Sequence, residues 1–247
     1  MTEAERFAAA RLAAMGEDSD GGIGTLCERA LHRVLKYYLE PDPACHEISY
    51  LGSVADIMNG EGITEIQTGG FARLKPKLER FLPASAVTVV YPLYAEKHIR
   101  WIDADSGEIS PRKKSPRKHR IYDAFYELYN IREYISHSNF RLKLMLLSVE
   151  EYKYKNIKAR VAGRYRTRLR VECIPDGIVD IIDFACPADY KRFIPEGLPQ
   201  VFSAPEFNRA VGKGFCHGYS GIQLLISLGL CRELPRKGRM HQYELID

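Results

Sequence analysis

Two carboxylates and one amide in residues 54–67, V-A-D-I-M-N-G-E-G-I-T-E-I-Q, carry the clearest chemical potential of the chain. Asp56 and Glu65 lie in short apolar segments on either side of the turn Asn59-Gly60-Glu61-Gly62. That pattern predicts a β-hairpin. Side chains alternate faces along a strand, so Asp56 shares a face with Val54 and Met58, and Glu65 with Ile63 and Gln67. Pairing of the two strands would set the carboxylates side by side. Two anions in apolar strands repel each other and lose hydration. A hard divalent cation, Mg²⁺ or Mn²⁺, relieves both costs. Gln67 offers an acceptor for water and a donor for phosphate, but it lacks the positive charge of a lysine.

The elements that must position this stretch follow from periodicity. Apolar positions at helical spacing over 23–39 predict a helix, which Pro41 and Pro43 stop. Residues 46–52 then open a strand ahead of the hairpin strands 53–59 and 63–68. Phe71, Leu74, Leu78, Phe81 and Leu82 fall on one helical face, with Pro76 forcing either a start or a bend there. The apolar run 86–93 reads as a buried strand, and 99–103 with Ser106-Gly107 as an edge hairpin.

Further on, 111–120 (P-R-K-K-S-P-R-K-H-R) reads as an exposed basic loop, 121–135 as an aromatic-rich helix or helix pair, and 140–149 as a second buried strand. Arg164, Arg166, Arg168 and Arg170 alternate, so a strand there would show them on one face. The acidic-apolar segment 176–183 fits no element. Ser203 and Glu206 stand at capping-box spacing. They open a helix over 207–211, followed by a Gly212/Gly214 turn, a helix over 219–228, and two strands around P-R-K-G-R.

With 247 residues, 45% of them hydrophobic, the chain can bury a normal core in one large or two small domains. Residues 1–22 read as a weak helix and a flexible Gly/Asp/Ser segment, 23–194 as an α/β domain with basic insertions, and 195–247 as a small second domain. The net charge of +4 is modest but clustered. Six scattered cysteines without C-x-x-C point to reduced thiols and a cytoplasmic protein. Neither a signal peptide nor a membrane span is evident.

The order helix-strand-strand-strand-helix-strand, with D56-(x8)-E65-I66-Q67, resembles the core of the PD-(D/E)XK nuclease superfamily over about residues 23–94. No proline precedes Asp56, and Gln67 replaces the lysine of the name-giving motif. The resemblance implies a restriction-endonuclease-like mixed sheet flanked by helices. It also implies Mg²⁺ or Mn²⁺ held by Asp56 and Glu65, Gln67 in the third catalytic position, and Glu28 as an accessory acid of the first helix. Each has a plainer account: Asp56 and Glu65 as solvated charges, Glu28 as a capping-box partner of Thr25. Glu47 reads equally well as an edge-strand charge. Lys75 and Lys77 could restore the missing cation, but a solvated helix face explains them more simply.

The C-terminal segment resembles the winged-helix family. In that family His217 and Tyr219 would approach a DNA groove, and the wing tip Arg236, Lys237 and Arg239 would touch phosphate. Lys113, Lys114, Arg117, Lys118, Arg164, Arg166 and Arg168 are further phosphate contacts or simply solvated charge. The expected function is Mg²⁺-dependent hydrolysis of phosphodiester bonds in DNA. The alternative is a catalytically inactive DNA-binding regulator on a degenerate nuclease fold. A homodimer is implied by the nuclease resemblance alone.

Overall fold

The structure, a computed structural model, describes residues 1–16, 26–116, 118–161, 164–212, 217–238 and 240–246. It is mixed α/β, a mixed sheet flanked by helices. In chain order, helices α1 (Glu3–Gly16) and α2 (Leu26–Leu39) precede strands β1 (His46–Tyr50), β2 (Ser53–Asn59) and β3 (Gly62–Ile66). A 3-10 turn (Phe71–Leu74) and α3 (Lys75–Phe81) lead to β4 (Val87–Asp103), and β5 is the short strand Lys113–Lys114. Helices α4 (Phe125–Asn130) and α5 (Arg132–Ile135) precede the long strands β6 (Phe140–Val161) and β7 (Arg164–Phe184). The chain closes with β8 (Val201–Ser203), α6 (Ala204–Val211), α7 (Gly218–Ser227), β9 (Cys231–Lys237) and β10 (Met240–Leu245). The larger sheet has the order β1-β2-β3-β4-β6-β7, with β5 beside β4.

The chain divides into two compact units. The first comprises Met1–Ile48, Pro92–His119 and Met145–Ile181; the second Ser49–Tyr91, Arg120–Leu144 and Ile182–Asp247. This division differs from a cut at 22/23 and 194/195, because strands far apart in sequence share cores.

In the first unit, α2 buries Leu31, Val34, Leu35 and Tyr38 at helical spacing. Onto it α1 packs Phe7, Ala10 and Ala14, all buried. Arg6 holds the pair from the rim, its guanidinium 4.6 Å over the Tyr38 ring and 2.8 Å from the Tyr38 carbonyl. Residues 3–16 are therefore a docked helix, not a flexible arm; residues 17–22 lie outside the described residues. The reason is the Phe7/Ala10/Ala14 stripe, too short and Ala-rich to stand out against the flanking polar residues.

The basic stretch 111–120, expected as a loop, is partly strand: Lys114 pairs with His98 and Lys113 with Ile99. An open strand edge supplies backbone partners that the local sequence does not announce. Similarly, β4 runs unbroken through 99–103 and its turn closes with a single bridge, Ile102 to Ile109. Segment 176–183 lies in the last part of β7, with Asp176, Asp180 and Asp183 exposed.

In the second unit, β2 and β3 form the antiparallel hairpin, and β3 runs parallel to β4. Gly62 is required at the start of β3. Its φ is +123°, and a Cβ there would lie 2.5 Å from the Ala86 carbonyl oxygen that the Ile63 N–H bonds at 2.9 Å. Pro76 sits in the first turn of α3, where a missing N–H costs nothing. The sequence-derived choice between start and bend is thus resolved as a start behind a 3-10 turn. The capping box forms as spaced: the Ser203 N–H and hydroxyl both donate to Glu206, at 2.7 and 2.6 Å. Strands β8, β10 and β9 make a second, antiparallel sheet. Among the described residues no helix is long and apolar enough to cross a membrane.

Candidate acidic site at the hairpin

Strand alternation places the two carboxylates. Ile57 pairs with Thr64, Met58 with Ile63 and Asn59 with Gly62. One further step of the same register sets Asp56 opposite Glu65, on one face of the hairpin. There the Ile66 N–H donates to Asp56 Oδ2 at 2.8 Å, fixing the Asp56 side chain against β3. Asp56 is partly buried; Glu65 is fully buried.

A cation reaches this face from α3. Lys77, third residue of that helix, donates from Nζ to Glu65 Oε2 at 2.7 Å. The parallel strand pair β3/β4 needs a crossover, and α3 is that crossover. Its first turn therefore passes over the face on which Glu65 stands. The sequence favoured a solvated helix face for Lys77 over the missing cation, and that preference is corrected: its side chain is only 28% exposed. The available signal was the absence of lysine at 67 together with a lysine one helical turn into the next element. Lys75 points elsewhere, to Glu133 at 2.5 Å.

Lys77 does not neutralise the site. Burial pushes the Glu65 carboxyl up, the Asp56 carboxylate pushes it further, and the Lys77 hydrogen bond and charge only partly offset them, leaving it at about 7. Glu65 Oε1 is buried with no hydrogen-bond partner among the described residues. An orphaned buried carboxylate oxygen beside a second carboxylate is a donor set for a hard cation. Among the described residues no group of three or more His, Cys, Asp or Glu is arranged to hold a metal.

Gln67 leaves β3 with its N–H on the Val90 carbonyl at 2.9 Å, so its backbone stays in register with β4. The chain after it is anchored by a residue sequence reading missed. Glu127 of α4 accepts the Phe71 N–H at 2.8 Å. Burial, with Glu127 and Asp123 nearby, pushes the Tyr91 hydroxyl up to about 12.

The other expected residues are dispersed. Glu28 falls in the first turn of α2, and its side chain lies outside the described residues. Glu47 accepts from Lys36 at 2.7 Å, which supports the edge-charge account. Lys113, Lys114 and Lys118 are exposed, and Lys114 is paired with Glu96 at 3.1 Å. Arg117 and Arg239 lie outside the described residues, as do the side chains of Arg164, Arg166 and Arg168 on β7 and of Lys237 on β9. Arg236 is exposed on β9. His217 stands at the N-cap position of α7 without a side-chain capping bond, its ring 5.0 Å from that of Tyr126, and Tyr219 is 65% exposed. Cys45, Cys186 and Cys231 are free thiols and Cys173 is buried; the side chain of Cys27 and residue 216 lie outside the description.

A family model described as a domain of unknown function (DUF8091) matches residues 29–185. The chain is similar to an uncharacterized protein of Treponema pallidum (strain Nichols), 28% identical over 222 residues that cover 90% of this chain and 86% of that one. No solved structure matches.

Proposed function

The chain belongs to the DUF8091 family, whose matched region holds Asp56, Glu65, Gln67 and Lys77, and on that premise we propose a Mg²⁺-dependent nuclease that hydrolyses phosphodiester bonds in DNA. The observation that carries this reading is the buried Glu65 carboxyl, orphaned on one oxygen, opposite Asp56 and bonded to Lys77. The element order α2-β1-β2-β3-α3-β4, with β3 parallel to β4 across α3, supports a restriction-endonuclease-like core. The order β8-α6-α7-β9-β10 supports a winged-helix module that would place Arg236 on the DNA backbone. A homodimer and a cytoplasmic location belong to the same reading.

Asp56 and Glu65 would hold the Mg²⁺, which supplies Lewis acidity and a hydroxide at neutral pH. Asp56, pinned by the Ile66 N–H, keeps its carboxylate oriented without rearrangement. Lys77, bonded to Glu65 Oε2, would supply the ammonium that offsets charge developing on the phosphate. Gln67 can orient water through its carbonyl oxygen and a phosphate oxygen through its amide.

The test is cleavage of supercoiled and linear DNA in Mg²⁺ or Mn²⁺ against EDTA. Glu65→Gln and Asp56→Asn should each lower the rate by about 10²-fold or more, the scale of removing one electrostatic contributor. A second reading, a DNA-binding regulator without catalysis, is favoured by Gln67 and by Lys77 already occupying Glu65 Oε2. DNA binding without cleavage in either metal selects it.

A further inference from the structure

Helix α7 approaches α4 and α6 closely, and glycine permits it. A Cβ on Gly221 would lie 2.6 Å from Phe125 Cδ2 and 3.0 Å from Phe207 Cε1, and one on Gly218 would lie 1.7 Å from Asn208 Oδ1. The buried side of this packing is apolar: Phe125, Leu128, Ile222 and Leu225 are fully enclosed. Its outer side is aromatic and wet. Tyr126 is 48% and Tyr219 65% exposed. The Tyr126 ring stands 5.0 Å from His217, and the Tyr129 ring 6.5 Å from Tyr219. The Arg132 guanidinium lies 4.2 Å over the Tyr129 ring and donates to the Tyr129 carbonyl at 2.8 Å.

The core beneath these rings is built on Phe125 and Leu128, both fully buried. The surface combines ring faces held at fixed spacing with a fixed guanidinium and an imidazole. Successive unpaired bases stack on such rings while cations meet their phosphates. The acidic residues on the same helices are already engaged: Glu127 bonds the Phe71 N–H and Glu133 pairs with Lys75. We propose that Tyr126, Tyr129, His217 and Tyr219, with Arg132, form a stacking surface for single-stranded DNA. The choice of DNA rests on the nuclease reading above; the stacking chemistry uses neither Asp56 nor Glu65. A duplex keeps its base faces internal, so the surface prefers a single strand.

The experiment is fluorescence anisotropy of the full chain in EDTA with a labelled oligo(dT) of about 12 nucleotides, within the length one such module spans. The double variant Tyr126→Ala/Tyr219→Ala should bind about tenfold or more weakly, the scale of one lost base–aromatic stack, with an unchanged melting temperature. Tyr126→Phe/Tyr219→Phe should bind as the parent does, because the ring and not the hydroxyl carries the contact. If the double alanine variant does not fold, Tyr219→Ala alone serves, since that side chain is the more exposed. Oligo(dT) binding is read in EDTA and cleavage in Mg²⁺, so failure of cleavage and failure of this surface are read separately. Parent-level affinity in the folded alanine variant overturns the proposal. So does a loss of matching-duplex affinity in the alanine variant as large as its loss of oligo(dT) affinity. Preference for oligo(U), or no oligo(dT) binding while a peptide ligand is captured at these rings, overturns it as well.

Discussion

Glu65 on β3 and Glu150 on β6 are both ion-paired glutamates, one in each unit, yet their surroundings move them in opposite directions. Burial raises both. At Glu150, hydrogen bonds from Arg100 Nε at 2.8 Å and the Tyr152 hydroxyl at 3.0 Å, with the charge of Arg112, outweigh burial and hold the carboxyl below its ordinary range. At Glu65 burial and the Asp56 carboxylate outweigh the Lys77 hydrogen bond and charge. The lesson is one of donor count and sign. Two guanidinium groups and a hydroxyl complete an ion-pair network on a strand surface. The Lys77 ammonium only partly offsets burial and the Asp56 carboxylate, which leaves a charge deficit at Glu65.

The largest expected effect comes from removing the lysine. Lys77→Met leaves Glu65 buried without its partner and should cost about 3–5 kcal/mol at pH 8 by denaturant unfolding. Glu65→Gln added to Lys77→Met should recover part of that loss. A Lys77→Met cost below about 1 kcal/mol would equate this pair with a surface salt bridge and dissolve the contrast.

Next in size is a pH effect measured in EDTA. A carboxyl at about 7 in the folded chain and about 4.5 when unfolded keeps its proton longer in the native state. Below the unfolded value both states are protonated and nothing is lost. As pH rises to about 7 the native state loses ground by about 3 kcal/mol relative to the unfolded chain. The stability of Glu65→Gln minus that of the parent should therefore grow over that window. A flat difference from pH 4 to 8 would remove the charge deficit from the account.

A smaller effect follows from adding metal. At a Mg²⁺ concentration about tenfold above its dissociation constant, the parent should gain about 1.4 kcal/mol at pH 8. Asp56→Asn and Glu65→Gln should gain nothing, and Glu150→Gln should gain as the parent does. The smallest effect is that of Glu150→Gln itself, below about 1 kcal/mol near neutral pH. Its sign is the reverse of the Glu65 case. A lowered carboxyl contributes stability above its unfolded value and loses it as pH falls through the folded one, so the cost of Glu150→Gln should shrink in acid.

The sequence by itself determined the features whose cause is local. Alternation and the Asn59-Gly60-Glu61-Gly62 turn specify the hairpin, and with it the shared face of Asp56 and Glu65, because strand period and turn chemistry act over a few residues. The same holds for the Ser203/Glu206 capping box and for Pro76 in the first turn of α3. Tertiary structure alone decided what depends on partners distant in the chain. The docking of α1 on α2, the inclusion of 176–183 in β7 and the pairing of Lys113–Lys114 with β4 all rest on backbone and apolar partners remote in sequence. So does the contact of Lys77 with Glu65. Twelve positions separate them, and only the path of the crossover helix over the sheet face brings an ammonium to a carboxylate that would otherwise be buried uncompensated.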